Sequence, residues 1–330
     1  MKNYYIRKIK GKQSNHKGKQ SNHKGKQSNH KGKIKNKTKK KILHKYFDKN
    51  GKQVSQKTIK PYLNIYIAPA YDNVKINKNM KAKVLAIGYD ERDRPQYIYN
   101  NRCIKSRGKN KFKKLIKFGK NRSKLMRSIE TDYKSKVDSK NKQIAMILKI
   151  IIDCNFRIGN DKYTKENNSF GVSTLQSKHI KTNNNVTIDF VGKKGVQNTC
   201  QIDNSKMKTN LKTKKKKYKN NERIFQYTKD CKTYEIKSTD VNEYLGEYTT
   251  KNFRTWSANI LLIEQLLNKS LVKESIEYVA HKLHHTPSIC KSNYIDPKVL
   301  DFYEKDPKKF KEYFKGDINK KFTHFLEKHY

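Results

Sequence analysis

The chain has 330 residues, with 78 Lys and Arg against 29 Asp and Glu, a formal charge of +49 and 34% hydrophobic residues. That length accommodates about two domains, and so positive a field favours a polyanionic partner, nucleic acid ahead of an anionic membrane surface. No apolar run reaches the roughly 18 residues that a membrane-spanning helix needs, and the N-terminus lacks the apolar stretch of a signal peptide.

Residues 1–45 hold 17 basic and no acidic residues, which leaves a surplus of 32 positive charges on the remainder. Within them the unit KGKQSNH runs three times from Lys10 to His30. It has no apolar face, which excludes a coiled-coil heptad. Such a stretch cannot offset the entropy of ordering, so residues 1–44 are predicted to be a disordered basic arm that lies along a polyanion or doubles as a localisation signal. His16, His23 and His30 recur only because the repeat does.

From about Lys45 the composition changes. Asn50-Gly51 in "YFDKNGKQV" is a hairpin signal. "AKVLAIGYDERDRPQYIYN" reads as strand, polar turn, strand. These predict a small β-rich domain over residues 45–107, with the basic "KSRGKNKFKK" as a hinge. A second domain, 108–330, is predicted to be mostly helical. "KQIAMILKIIIDCNF" (142–156) is apolar nearly all round and reads as a buried helix. In "VTIDFVGKKGVQNTCQI", Val186, Ile188 and Phe190 share one strand face ahead of a GKKG turn. The lysine-rich Lys206–Lys219 stretch reads as a solvated loop. "STDVNEYLG" reads as a short helix capped by Ser238 or Thr239 and ended by Gly246. Ile276, Val279, Ala280 and Leu283 line one helical face, and Thr286-Pro287 starts another helix. The fold class expected is α+β.

Five cysteines, Cys103, Cys154, Cys200, Cys231 and Cys290, include no CxxC and are odd in number. They predict neither a disulfide framework nor a zinc ribbon, and point to a reducing intracellular compartment. His281, His284, His285 and Cys290 could be imagined around zinc, but His281 and His284 do not all share a face with His285. No GxxxxGK[ST] or GxGxxG loop is present, so no nucleotide cofactor is expected.

The chemistry lies in residues that are bland one at a time. Arg157 follows the apolar helix, Lys193 sits at a hairpin tip, and Arg254 falls between Phe253 and Trp256, where a guanidinium is costly unless it meets an anion. His285 precedes a helix start, and Tyr294 lies about two turns on. Together they suit metal-free phosphodiester cleavage. Guanidinium groups match the charge on a phosphorane, a lysine can protonate the leaving oxygen, and a phenol made nucleophilic by a cationic site can hold the broken end. No carboxylate cluster with two-metal spacing is evident.

"FRIGNDKYTKENNSFGVSTL", "FVGKKG", "DVNEYLG", "TTKNFRTW" and "HTPSICKSNYIDP", in this order over roughly residues 45–300, resemble the type IB DNA topoisomerases of the short poxvirus-like and bacterial kind. The resemblance implies a C-shaped clamp, relaxation of supercoiled double-stranded DNA through a 3′-phosphotyrosyl intermediate without ATP, metal or other cofactor, and action as a monomer. It implies Arg157, Lys193, Arg254 and His285 as the catalytic set and Tyr294 as the nucleophile. It also implies Arg94, Gln96, Tyr97 and Tyr99 as groove-reading residues and Lys162 and Tyr163 as DNA-facing ones. Asn160 and Pro95 depart from the basic residues of the poxvirus pattern, which bears on site preference. A viral source would put the protein in the virion or the host cytoplasm. Two alternatives stand beside it. A tyrosine recombinase has related chemistry, but usually His-x-x-Arg where Lys251 precedes Arg254 here. A non-catalytic basic DNA-binding or packaging protein would explain the charge alone.

Overall fold

The computed structural model describes residues 3–9, 44–91, 93–268 and 271–330. It is α+β, and its contacts divide into two compact units, Met1–Gly108 and Lys109–Tyr330.

In the first unit, strands β1 (Tyr4–Ile9), β2 (His44–Phe47), β3 (Asp72–Asn77), β4 (Val84–Tyr89) and β5 (Pro95–Tyr99) form one antiparallel sheet in the order β2-β1-β3-β4-β5. A one-turn helix, α1 (Gln56–Ile59), follows β2 and is capped by Ser55. Tyr5, Tyr46, Ile59, Val74, Ile76 and Ala86 make its core. The β4–β5 hairpin matches the sequence expectation, and the Asn50-Gly51 turn follows β2, with Gly51 at a φ of 83° that suits glycine.

One part of the expected arm is different. Tyr4–Ile9 is an inner strand, paired with β2 on one side and β3 on the other. Its alternation buries Tyr5 and Arg7, and the Arg7 guanidinium is satisfied by the carbonyls of Ala68 at 2.7 Å and Tyr71 at 2.9 Å. Burial lowers the pKa of that guanidinium. Ile9 and His44 are register partners, so the chain leaves the sheet at β1 and returns directly opposite at β2. The repeat segment between them lies outside the described residues.

Helix α2 (Asn101–Lys134) runs through the stretch expected to be a hinge, because "KSRGKNKFKK" contains no proline and a single glycine costs a helix only about 1 kcal/mol. In the second unit, α3 (Lys140–Cys154) is the central helix, with nine of its residues buried and its first turn capped by Ser139. Then come α4 (Asp161–Asn167), β6 (Ile180–Lys181), β7 (Thr187–Val191), β8 (Gln197–Gln201), α5 (Ser205–Lys217), β9 (Gln226–Lys229), β10 (Lys232–Glu235), α6 (Ser238–Leu245), α7 (Thr250–Leu267), α8 (Val272–Lys282), α9 (Pro287–Asn293), α10 (Pro297–Lys305), α11 (Pro307–Phe314) and α12 (Ile318–His329). Strands β6, β7 and β8 form a three-stranded antiparallel sheet, and β9 and β10 pair separately.

Helix α5 corrects the expected lysine-rich loop. Met207, Leu211 and Lys214 recur at helical spacing and are buried, and Asn204 caps the first turn. The Lys214 ammonium is held by Gln143 Oε1 at 2.8 Å and the Ile224 carbonyl at 2.7 Å. Trp256 of α7 anchors the second core, in edge contact with Phe118 of α2 and Phe322 of α12. Among the described residues no helix is long and apolar enough to cross a membrane.

Candidate active site

Four elements of the second unit meet around one imidazole. Helix α3 ends at Asn155 in a left-handed conformation, φ 52°, which an asparagine tolerates. The chain then turns through Phe156 into Arg157. The backbone after the helix is pinned, because the Val172 amide donates to the Arg157 carbonyl at 2.9 Å and the Ser173 amide to the Ile158 carbonyl at 2.7 Å. Two glycines make this possible. Gly159 has a φ of 92°, and a Cβ on Gly171 would lie 2.3 Å from the Gly159 nitrogen, so the two segments touch backbone to backbone.

Arg254 lies on the buried face of α7, only 3% exposed. A guanidinium there needs partners. Its Nη1 donates to the Asn155 carbonyl, and its Nη2 to the Leu283 carbonyl at 3.0 Å. Its Nε has no partner among the described residues. Burial, set against the nearby Tyr294 phenol and reinforced by Arg157, brings the pKa of Arg254 down to about 10.

His285 receives both guanidinium groups, Arg157 Nη2 at 3.0 Å and Arg254 Nη2 at 3.0 Å from its Nε2. Burial, then Arg157 and Arg254, push the imidazole down to about 3, so it is neutral at physiological pH. A neutral imidazole keeps one N–H to donate. Next to it, Thr286 caps α9 and Pro287 occupies the first helical position, as the sequence predicts. Tyr294 is the C-cap of that helix. Its ring lies 4.8 Å from the His285 ring and 5.5 Å from the Arg254 guanidinium carbon, and the residue is 8% exposed.

No carboxylate forms an ion pair with Arg157 or Arg254 among the described residues, and none contributes to the shift of either group. Two like charges therefore converge on a neutral ring beside a phenol. Coulomb repulsion at such short range is relieved by an anion bound between them. Lys193 stands apart from this group. It lies on the exposed β7–β8 tip, where Lys194 and Gly195 have φ of 65° and 75°, and it makes no hydrogen bond or ion pair among the described residues. Its positive charge nevertheless contributes to the lowering at His285.

Several supporting residues escaped the sequence reading. Asn259 Nδ2 donates to the Tyr294 carbonyl at 2.9 Å, while its Oδ1 accepts the Asp296 amide at 2.8 Å, fixing the backbone on both sides of Ile295. Lys111 donates to the Asn293 carbonyl at 3.2 Å, and burial followed by the charge of Lys251 pushes it down to about 8. His284, at φ 55°, shares a 3.1 Å hydrogen bond with the Cys154 carbonyl. Only its adjacency to His285 could have marked it. Among the described residues no group of His, Cys, Asp or Glu is arranged to hold a metal ion.

The expected DNA-reading residues fall in both units. On β5, Tyr97 is half exposed and stacks on Tyr99, whose other neighbour is the Arg107 guanidinium at 4.3 Å. Arg94 and Gln96 both reach Asp90, at 2.9 Å and 3.1 Å. Alternation along the strand thus separates the tyrosines from Gln96. In the second unit, Lys162 and Tyr163 are exposed in the first turn of α4. Asn160, a departure from the poxvirus pattern, is the N-cap of that helix and accepts the Lys162 amide at 2.9 Å. Arg223 holds the same turn through Asp161 at 2.6 Å.

Cys154 and Cys200 are joined by a disulfide, a pairing that the reading of the cysteines as neither a disulfide framework nor a zinc ribbon did not anticipate. They are 46 residues apart in sequence, and the fold brings their Cα atoms within 5.8 Å.

Comparison with known proteins supplies the family. The family described as "Eukaryotic DNA topoisomerase I, catalytic core" matches residues 100–320. The DNA topoisomerase 1B of Acanthamoeba polyphaga mimivirus is 31% identical over 313 residues, covering 86% of this chain and 90% of that protein. The vaccinia virus DNA topoisomerase 1B is 26% identical over 66% of this chain and 72% of its own length, and the DNA topoisomerase 1 of rabbit fibroma virus is 28% identical over 68% and 74%.

Proposed function

The chain belongs to the type IB DNA topoisomerases, in the short form of the poxviruses and mimivirus, and from that membership we propose how its own residues carry the reaction. DNA is the substrate, and strand breakage and rejoining the activity. In the assignment proposed, Tyr294 Oη loses its proton to solvent and attacks the scissile phosphorus in line. The bond from phosphorus to the 5′ oxygen breaks, and that oxygen takes a proton from Lys193 Nζ. The 3′ phosphate is left on Tyr294, the free end rotates, and the reverse attack reseals the strand.

Arg157 and Arg254 would hold the two non-bridging oxygens, stabilising the phosphorane more than the ground-state diester. Neutral His285 would donate its single N–H to one of the same oxygens. The observation that carries this assignment is the convergence of two guanidinium groups, uncompensated by any carboxylate among the described residues, on an imidazole 4.8 Å from a tyrosine ring. Desolvated cations without a counter-ion are costly, and a phosphodiester supplies the missing charge.

In the same proposal residues 108–330 form the catalytic domain, acting as a monomer. Arg94, Gln96, Tyr97 and Tyr99 read the duplex from the β-rich domain, with Lys162 and Tyr163 contacting it from α4. The viral relatives support work in the virion or the host cytoplasm. The test is Tyr294→Phe, which should bind duplex DNA as the parent does and relax no supercoiled plasmid. Residual relaxation would remove Tyr294 from the assignment.

A further inference from the structure

The segment Cys154–Arg157 touches three other side chains of the site. The Cys154 carbonyl holds His284, the Asn155 carbonyl holds Arg254, and Arg157 holds His285. Phe156 stacks edge-on against Phe190 of β7 at 4.9 Å. The hairpin carrying Lys193 meets this segment through that ring contact, through the shared core that buries Ile188 and Phe190, and through the covalent bond from Cys154 to Cys200 of β8, while the Phe170 amide donates to the Val191 carbonyl at 2.9 Å beside the tip. The tip is stiff on its own account. The Gly192 amide donates to the Val196 carbonyl at 2.8 Å, and Asn198, 1% exposed, folds its amide back onto Val196 at 2.7 Å. A stiff hairpin pivots about its base. Cys200 sits in β8, about 10 Å along the strand from where the tip begins at the usual rise per residue.

We infer that the Cys154–Cys200 disulfide is a positioning element for the proton donor: it fixes the base of the β7–β8 hairpin to the end of α3 and thereby sets where Lys193 meets the leaving oxygen. The inference rests on the assignment of Lys193 as that donor. Arg254 is held by the Asn155 and Leu283 carbonyls, and the backbone at Arg157 by the Val172 amide, whereas Lys193 makes no polar contact of its own among the described residues. Loss of the bond should therefore move the lysine and leave the guanidinium groups in place. A misplacement of about 1 Å is enough to weaken a proton transfer strongly.

The first measurement is a thiol count on the unfolded, unreduced protein. Three thiols should react, those of Cys103, Cys231 and Cys290, rising to five after dithiothreitol. In that reduction each cystine sulfur takes one electron and one proton while the dithiol closes to its cyclic disulfide. Five reactive thiols before reduction would overturn the inference.

The second is single-turnover cleavage of two duplexes, one with the ordinary 5′ oxygen at the scissile bond and one with sulfur there, a leaving group that needs no proton. Dithiothreitol-treated parent and Cys200→Ser should both cleave the oxygen duplex about tenfold more slowly than the oxidised parent, and the sulfur duplex at the oxidised parent's rate. Equal losses on both duplexes, or no loss, would overturn the inference. Lys193→Ala, run alongside, keeps the two claims apart. If sulfur fails to rescue that variant, the donor assignment falls; if it rescues Lys193→Ala but not Cys200→Ser, only the role of the disulfide falls.

Discussion

Arg254→Lys keeps a positive charge in α7 and removes the fork. The guanidinium of Arg254 is almost wholly buried, donates to the carbonyls of Asn155 and Leu283, and still reaches His285 Nε2 at 3.0 Å. One ammonium cannot occupy all three positions. If it stays with the carbonyls, it abandons the phosphate; if it turns to the phosphate, at least one buried carbonyl is orphaned, at a cost of about 1–3 kcal/mol. Loss of a preorganised donor aimed at developing charge is worth about 3–4 kcal/mol in the transition state, so cleavage should slow by roughly 10²–10³-fold. The assay is single-turnover formation of the protein–DNA adduct, with the melting temperature measured on the same preparations. A variant that cleaves within about threefold of the parent while melting lower would refute the reasoning, because Arg254 would then be only a strut between α7 and the α3 exit.

Tyr294→Phe should retain duplex affinity and form no adduct in a denaturing gel. His179, His284 and His285 are pushed down by burial first, to about 4, 4 and 3, so the unfolded chain binds more protons than the folded one below the ordinary histidine range. Their contribution is complete above about pH 6.5 and is lost as pH falls through the folded values; the melting temperature should drop on acidification and drop less in His179→Gln. Replacing residues 10–43, which hold 13 lysines and no acidic residue, by a two-residue Asn-Gly turn from Ile9 to His44 should weaken DNA binding and flatten its salt dependence while low-salt relaxation survives. Gly171→Ala places a methyl against the Gly159 backbone, so it should lower both the melting temperature and the cleavage rate; unchanged cleavage would show that the Arg157 turn tolerates displacement.

The residues proposed as the catalytic set are bland one at a time, and what made them legible was their order within motifs that resemble the type IB topoisomerases. The guanidinium amid Phe253 and Trp256 and the histidine before a Thr-Pro helix start come together beside the end of the apolar α3, while the basic hairpin tip stands apart from them. What stayed hidden depends on contacts distant in sequence. Helix α5 reads as solvated because its apolar positions are few, yet Met207 and Leu211 suffice once α3 and the Ile224 carbonyl accept Lys214. Strand β1 was masked by the basic run that follows it, although "YYIRKI" carries a strand's aromatic and branched side chains. Asn259 and His284 act on backbone carbonyls, and no spacing rule marks such partners. The pairing of Cys154 with Cys200 is set by tertiary packing, which a cysteine count does not carry.

The central claim is that one phenol takes over the broken strand. Incubating the parent with a duplex whose cleaved end diffuses away, then digesting the trapped complex and sequencing the nucleotide-bearing peptide by mass spectrometry, tests it most directly. The account predicts a single adduct, on Tyr294, through the 3′ phosphate. An adduct on any other side chain, or a 5′ linkage, would contradict it.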